Sequence, residues 1–318
     1  MQIDLAYAGR PQGVDAAALR AHELGYQGLW TSETRHDPFL TLALASRACP
    51  DLAIGSGVAI ALARSPFPLA QSAWDLWDLS GGRFILGLGS QVQAHIERRF
   101  SMHWDKPVAQ MRDMVGALRA IWSAFQSGSR LRYQGPYYQH SLLTPNFRPG
   151  PSDYGCDIPI ALAAVGPRMT ELAGEVADLA LLHPFTHPDF LRAVTLPALE
   201  RGRLRGSRRA VSVVGSLFAF VEDGEASRRE QAVREKIGFY GSTPAYWGVL
   251  ESLGREGLGQ RLHALSREGA WSEMGALIDD DLLEVFRVRA SSQEALFAAV
   301  RSRFEGLYDR VILTLPGE

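Results

Sequence analysis

Short apolar runs and longer amphipathic stretches alternate along almost the whole chain. Ile3 to Ala8 reads as a first strand and Gly13 to Leu24 as a helix closing at Gly25. Gly28-Leu29-Trp30-Thr31 is a second strand, and Pro38 to Cys49 is a helix with proline in its first turn. Leu52 to Val58 is a third strand backed by a helix from Pro68 to Leu79, and Phe84 to Gly89 is a fourth. The helix from Lys106 to Phe125 places Met111, Met114, Val115, Leu118, Ile121 and Trp122 at helical spacing. After an interruption at 126–157 the rhythm resumes. Ile158 to Ala163, Ala177 to Leu182 and Ala210 to Val221 are strands five to seven, with helices from Gly166, Pro188 and Glu225. A helix over Ser292–Phe304 leads into strand eight, Arg310 to Leu315.

Repeated β-then-α units imply a parallel sheet with right-handed crossovers, and eight units in this length fit a closed (β/α)8 TIM barrel in the α/β class. Two insertions depart from the repeat. Residues 126–157 follow strand four, with a hairpin at Arg132–Tyr138 and prolines at 145, 149 and 151; residues 240–288, after strand seven, are helical by pattern. No composition shift or linker divides the chain, so residues 1–318 read as one domain.

Composition narrows the partners. The 318 residues carry a net charge of -2 with 46% hydrophobic content, and the pI is near 6.5 with a mean hydropathy of -0.07. That balance points away from nucleic acid and from anionic membrane as main partners. The basic run from Arg201 to Arg209 reads as a solvated turn. Two cysteines without metal or redox spacing fit a reducing compartment, and the chain enters a strand at residue 3 without a signal pattern, so a cytoplasmic protein is expected. No apolar run reaches the roughly 20 residues that span a bilayer.

In a barrel, chemistry gathers at the carboxyl ends of the strands. Past strand two lies Thr31-Ser32-Glu33-Thr34-Arg35-His36-Asp37-Pro38. Asp37 fits an N-cap for the following helix, which leaves Glu33 and His36 as candidate chemistry, the imidazole being suited to moving a proton. Glycines 55 and 57 at the end of strand three imply a bulge or a flat ligand against the backbone. Past strand four, Gly87-Leu88-Gly89-Ser90-Gln91-Val92 is half of a dinucleotide fingerprint without its third glycine, and close strand packing explains it equally well. Past strand five, Gly166-Pro167-Arg168-Met169 opens a helix, either an ordinary start or a seat for phosphate. Past strand six, His183 and His187 flank Phe185; zinc is not expected there, since no third ligand has supporting spacing. Trp74 and Trp77 read as core, and Tyr133, Tyr137 and Tyr138 either line a cleft or staple the hairpin.

Taken together, Leu79-Ser80-Gly81-Gly82-Arg83-Phe84-Ile85-Leu86-Gly87-Leu88-Gly89, Gly55-Ser56-Gly57-Val58, Gly166-Pro167-Arg168-Met169 and Glu171 to Asp178 resemble the bacterial luciferase-like superfamily, specifically its deazaflavin branch that uses coenzyme F-420. The resemblance runs from Ile3 to Leu315. It implies a non-prolyl cis peptide at Gly57-Val58 with Val58 backing the flat ring, and a cofactor-binding set of Gly57, Val58, Gly89, Ser90, Gly166, Pro167, Arg168 and Met169. It also implies a homodimer. Relatives often carry an acidic residue directly before His, whereas this chain reads Glu33-Thr34-Arg35-His36, so either Glu33 or His36 can take the catalytic place. The glutamate that relatives carry after strand four has no match in Gln91-Val92-Gln93. The expected activity is hydride transfer between F-420 and a small organic substrate, with His36 moving the proton, Glu33 tuning it, and Trp104 and Phe185 as substrate walls. An FMN-dependent two-component monooxygenase and a non-catalytic flavin-binding barrel are the alternatives.

Overall fold

The computed structural model describes residues 1–206 and 210–314, so Ser207 to Arg209 of the basic run and Leu315 of the last strand lie outside the described residues. Eight parallel strands carry the fold: β1 (Gln2–Tyr7), β2 (Gly28–Thr31), β3 (Ala53–Ser56), β4 (Phe84–Gly89), β5 (Ile160–Ala164), β6 (Leu179–Leu182), β7 (Ser212–Val221) and β8 (Arg310–Thr314). They pair in chain order, and β8 returns to β1 with Gln2 opposite Arg310 and Leu5 opposite Leu313, which closes the barrel. The principal helices between and around them are α1 (Val14–Glu23), α2 (Pro38–Ala48), α3 (Pro66–Leu79), α4 (Pro107–Ser127), α5 (Pro167–Val176), α6 (Leu196–Gly206), α7 (Ala226–Gly241) and α8 (Gln293–Phe304). Asp37 caps α2 as its position implies, accepting from the amides of Phe39 and Leu40. No helix among the described residues is long and apolar enough to cross a membrane.

The described part of the basic run, Arg201–Gly206, is the end of α6 rather than a turn, and three further elements differ from the sequence expectation. The β3 ladder stops at Ser56. After the cis Gly57–Val58 peptide, Ala59 and Ile60 pair with Leu88 and Gly89 of β4. The helix from Pro188 is broken into a short turn, a π segment at Leu191–Thr195 and then α6. Pro197 sits just past that π segment and has no N–H to return to residue 193, which disfavours regular α bonding there. Finally, the second insertion is not helical to 288. Arg287–Ala290 forms a strand beside the outer half of β7, with Phe218 opposite Arg287. Its arginines hid it from an apolar-pattern reading, and their charges are paired with Glu222, Glu230 and Glu284.

The barrel lumen is packed rather than hollow. Trp30, Ile85, Ala161, Leu181, Val214 and Ile312 form one buried cluster, and Val58 packs against it. Gly55 belongs to this packing: a Cβ there would lie 2.5 Å from the Trp30 ring. Gly87 is equally constrained, since its Cβ would meet the Ser56 carbonyl oxygen at 1.7 Å. The bare backbone at Gly55 therefore accommodates an indole of the chain itself, not a ligand. The Trp30 Nε1–H donates to Asp4 at 2.7 Å, and Asp4, fully buried, also pairs with Arg310. Burial raises the Asp4 pKa above its ordinary value, with Arg310 pulling the other way. A separate buried cluster, including Phe185, Phe218, Ile237, Leu250, Leu262 and Phe286, anchors the second insertion to the barrel.

Candidate active site

Because all eight strands run parallel, their carboxyl ends share one rim. There the β2, β3 and β4 ends are laced together: the Gly57 amide donates to the Thr31 carbonyl at 2.8 Å and the Glu33 amide to the Val58 carbonyl at 3.0 Å. The Ser56 hydroxyl donates to the Gly87 carbonyl at 2.8 Å and accepts from the Gly87 amide at 2.9 Å. Val58 is half-buried on the lumen cluster, and Gly89 lets it stay there, because a Cβ at 89 would meet its Cγ2 at 2.7 Å. Ser90 follows, half-buried, its hydroxyl bonded to the Gln91 carbonyl at 3.2 Å. Gly57, Val58, Gly89 and Ser90 thus form one contiguous stretch of rim.

Glu33 and His36 share the β2–α2 loop but not a hydrogen bond. The Glu33 carboxylate accepts from the Ile60 amide at 2.7 Å and from Arg64, whose guanidinium also reaches Asp37 at 3.1 Å. This ties the loop to the residues that follow the cis peptide. His36 is exposed on the same loop.

Across the rim, a cavity of about 410 Å³ opens between the ends of β5 and β6, the start of α5, the residues around the π segment and the helical 245–249 segment of the insertion. Gly166 and Pro167 are on its wall. Gly166 has φ +75, with open space where a Cβ would stand, and no side chain caps the helix it begins. Only glycine takes that backbone freely, and the Arg168 and Met169 amides are left at the positive end of the helix dipole. Arg168 is exposed beside them and Met169 is buried. A phosphate fits this arrangement on donor chemistry alone.

The residues past β6 face the same cavity. Phe185 is 1% exposed, stacks on Phe286 at 4.6 Å and lines the space. Trp104 does not line it; it is half-buried against the main core. His187 is bonded through Nε2 to the Ser252 hydroxyl at 2.9 Å, and burial lowers its pKa. His183 accepts the Phe185 amide at Nδ1 (3.1 Å) and is flanked by Tyr240 at 4.2 Å and Tyr246 at 4.9 Å between ring centres. Burial pushes the His183 pKa down to about 3. Tyr240, Tyr246 and Phe190, all in or beside this aromatic box, carried no sequence signal, because their spacing along the chain is irregular and only folding assembles them. The hairpin tyrosines staple rather than line: Asp113 accepts from the Tyr133 hydroxyl at 2.6 Å and the Tyr137 and Tyr138 amides at 2.7 and 2.8 Å.

The pattern of the luciferase-like monooxygenase family matches residues 2–310. The chain is 44% identical over 301 residues to an uncharacterized protein of Mycobacterium tuberculosis, covering 93% of this chain and 88% of the relative. It is 26% identical over 274 residues to the 5,10-methylenetetrahydromethanopterin reductase of Methanolobus tindarius, covering 84% and 79%. Among solved structures, the coenzyme F-420-dependent tetrahydromethanopterin reductase from Methanopyrus kandleri superposes with a TM-score of 0.80 at 20% identity, covering 99% of this chain and 93% of that one. The FMN-bound oxygenating constituent of a Pseudomonas putida Baeyer–Villiger monooxygenase does so at 0.69 and 15%, covering 100% and 92%. With almost the whole chain inside the family pattern, a closed eight-stranded barrel and the rim just described, the protein belongs to the luciferase-like monooxygenase family.

Proposed function

We propose that the protein is an oxidoreductase that uses coenzyme F-420 to pass a hydride to or from a small organic substrate. The observation that carries this is the pairing of two features at one rim: the uncapped α5 N-terminus at Gly166 and the half-buried Val58 resting on the lumen cluster. One suits a cofactor phosphate, the other the face of a flat ring. The names of the Methanolobus tindarius and Methanopyrus kandleri reductases support F-420 over other ring systems.

In this reading the Arg168 and Met169 amides hold the phosphate, with the Arg168 side chain beside them, and Gly57, Val58, Gly89 and Ser90 form the platform for the ring. The bound deazaflavin supplies the hydride-transfer chemistry. The chain's own contribution is orientation, exclusion of water and a proton. His36 carries the proton at its imidazole. Glu33, held by Arg64 and the Ile60 amide, keeps the His36 loop in register with Val58. We include in the proposal a homodimer and a cytoplasmic location; light scattering tests the first and fractionation the second.

The test is a parallel fluorescence titration of the purified protein with F-420 and with FMN, followed by His36→Ala. Selective binding of F-420, with turnover lost in His36→Ala at unchanged affinity, is the expected result. Preference for FMN overturns it in favour of oxygen chemistry. F-420 binding without turnover of any hydride acceptor leaves the inert barrel as the better description.

A further inference from the structure

The cavity beyond the rim has a chemical character of its own. Among the described residues no Asp, Glu, Lys or Arg lines it; Leu182, Phe185, Phe190 and Val249 supply much of its apolar wall. Into this surface the fold sets one imidazole, and its hydrogen bonding decides which nitrogen carries the proton. Nδ1 of His183 accepts the Phe185 amide at 3.1 Å, so it has no hydrogen of its own. A neutral ring must then carry its hydrogen on Nε2. Among the described residues Nε2 has no protein partner, yet it is not a sealed, unsatisfied atom, and the residue lines the cavity. Tyr240 covers the ring edge-on at 82° and Tyr246 leans over it at 44°, which fixes the ring plane.

We propose that His183 is a specificity-determining residue: a tautomer-locked Nε2–H donor that receives the acceptor oxygen of a neutral, ring-bearing ligand in this cavity. The claim deepens the function proposed above by naming the substrate class, a neutral carbonyl compound with an apolar ring, and it rests on that reading only for the chemistry that follows binding. Three properties of the site select this class. The walls bury an apolar ring favourably. An ammonium would be desolvated there without a counter-ion, facing the positive end of the α5 dipole at Gly166. A hydrocarbon of the same shape would leave the imidazole donor unpaired and lose the hydrogen bond. The charge state is robust as well, because burial holds His183 neutral and the groups packed on it, Tyr240 and Tyr246, have hydroxyls whose pKa values are raised by burial.

Acetophenone, benzylammonium and ethylbenzene, which share one ring and similar size, serve as probes, with affinity read by ligand-observed NMR on the full chain. Acetophenone is expected to bind at least about fivefold more tightly than ethylbenzene, the worth of one neutral hydrogen bond. Benzylammonium is expected to bind more weakly than either. His183→Phe should erase the preference for acetophenone over ethylbenzene, and His183→Gln, which keeps an amide N–H near the Nε2 position, should restore part of it. A second readout needs no variant. In uniformly ¹⁵N-labelled protein, His183 should show a bare Nδ1 and a protonated Nε2, and acetophenone should move the Nε2–H signal. Benzylammonium binding as tightly as acetophenone, no binding of acetophenone at millimolar concentration, retention of the preference in His183→Phe, or a proton on Nδ1 each overturns the proposal. The F-420 titration runs alongside: selective acetophenone binding without F-420 affinity defeats the cofactor reading alone, and the reverse defeats only the role of His183.

Discussion

Replacing Gly202 by alanine should push apart the two helices that carry the β5 side of the rim. Gly202 lies in α6 against α5, and a Cβ built on it would stand 1.8 Å from the Glu171 carbonyl oxygen and 3.0 Å from the Glu175 amide nitrogen. Gly174 and Gly206 make the same close approach, at 2.1 Å from the Leu199 and Glu175 carbonyl oxygens, so the two backbones touch along a stripe. Restoring an ordinary carbon–oxygen contact needs a separation of about 1.5 Å, and no side chain can rotate away, because the atoms met are backbone. Overpacking of this kind costs about 3 kcal/mol or more, against roughly 1 kcal/mol gained from alanine's better helix propensity. The net loss is about 2 kcal/mol, which lowers Tm by about 3 °C in a chain of this size. Gly248→Ala is the control: it too is helical, and the nearest atom is Phe190 Cε2 at 3.8 Å, an ordinary contact, so it should be neutral or slightly stabilising. Scanning calorimetry on both variants decides. If Gly202→Ala proves as stable as Gly248→Ala, the backbone-to-backbone packing of α5 on α6 is wrong, and with it the placement of the Gly166 seat that α5 carries.

Other perturbations test different parts of the molecule. His183 is held neutral by burial, its folded pKa lying below the unfolded one, so its contribution is present above about pH 6.5 and is lost as pH falls toward about 3. Wild type should therefore lose about 2 kcal/mol more than His183→Phe between pH 6.5 and 5. Urea melts at the two pH values measure this, and parallel losses would refute it. Asp113→Ala strands the Tyr137 and Tyr138 amides of the hairpin and leaves the Tyr133 hydroxyl only the residue-113 carbonyl, and should cost about 2–4 kcal/mol while exposing the 129–140 segment to proteolysis. Resistance equal to wild type would count against the staple. Glu33→Gln weakens the tie to Arg64, and His36→Ala removes only an exposed ring. The first should lower stability by about 1–3 kcal/mol and the second by less than about 0.5, which denaturant titration resolves.

Much of this molecule is legible in its sequence, and the division has a physical cause. Strand and helix periodicity are local properties, so the eight β-then-α units, the Asp37 cap and the glycine-rich ends at 55–58 and 87–89 can be read in order along the chain. Parallel pairing then compels a common rim, which is why Glu33, His36, Val58, Ser90 and Gly166 fall at one end once a barrel is accepted. The strand at Arg287–Ala290 escapes because its arginines are neutralised by glutamates distant in sequence, and the π segment before Pro197 escapes because it depends on one missing amide. Only the tertiary structure decided that Gly55 makes room for Trp30 and that Glu33 answers to Arg64. It also brought His183, Phe185 and Phe190 together with Tyr240 and Tyr246 from the second insertion. Contacts of that kind join residues whose separation along the chain follows no period, so their chemistry exists only where packing brings them within reach.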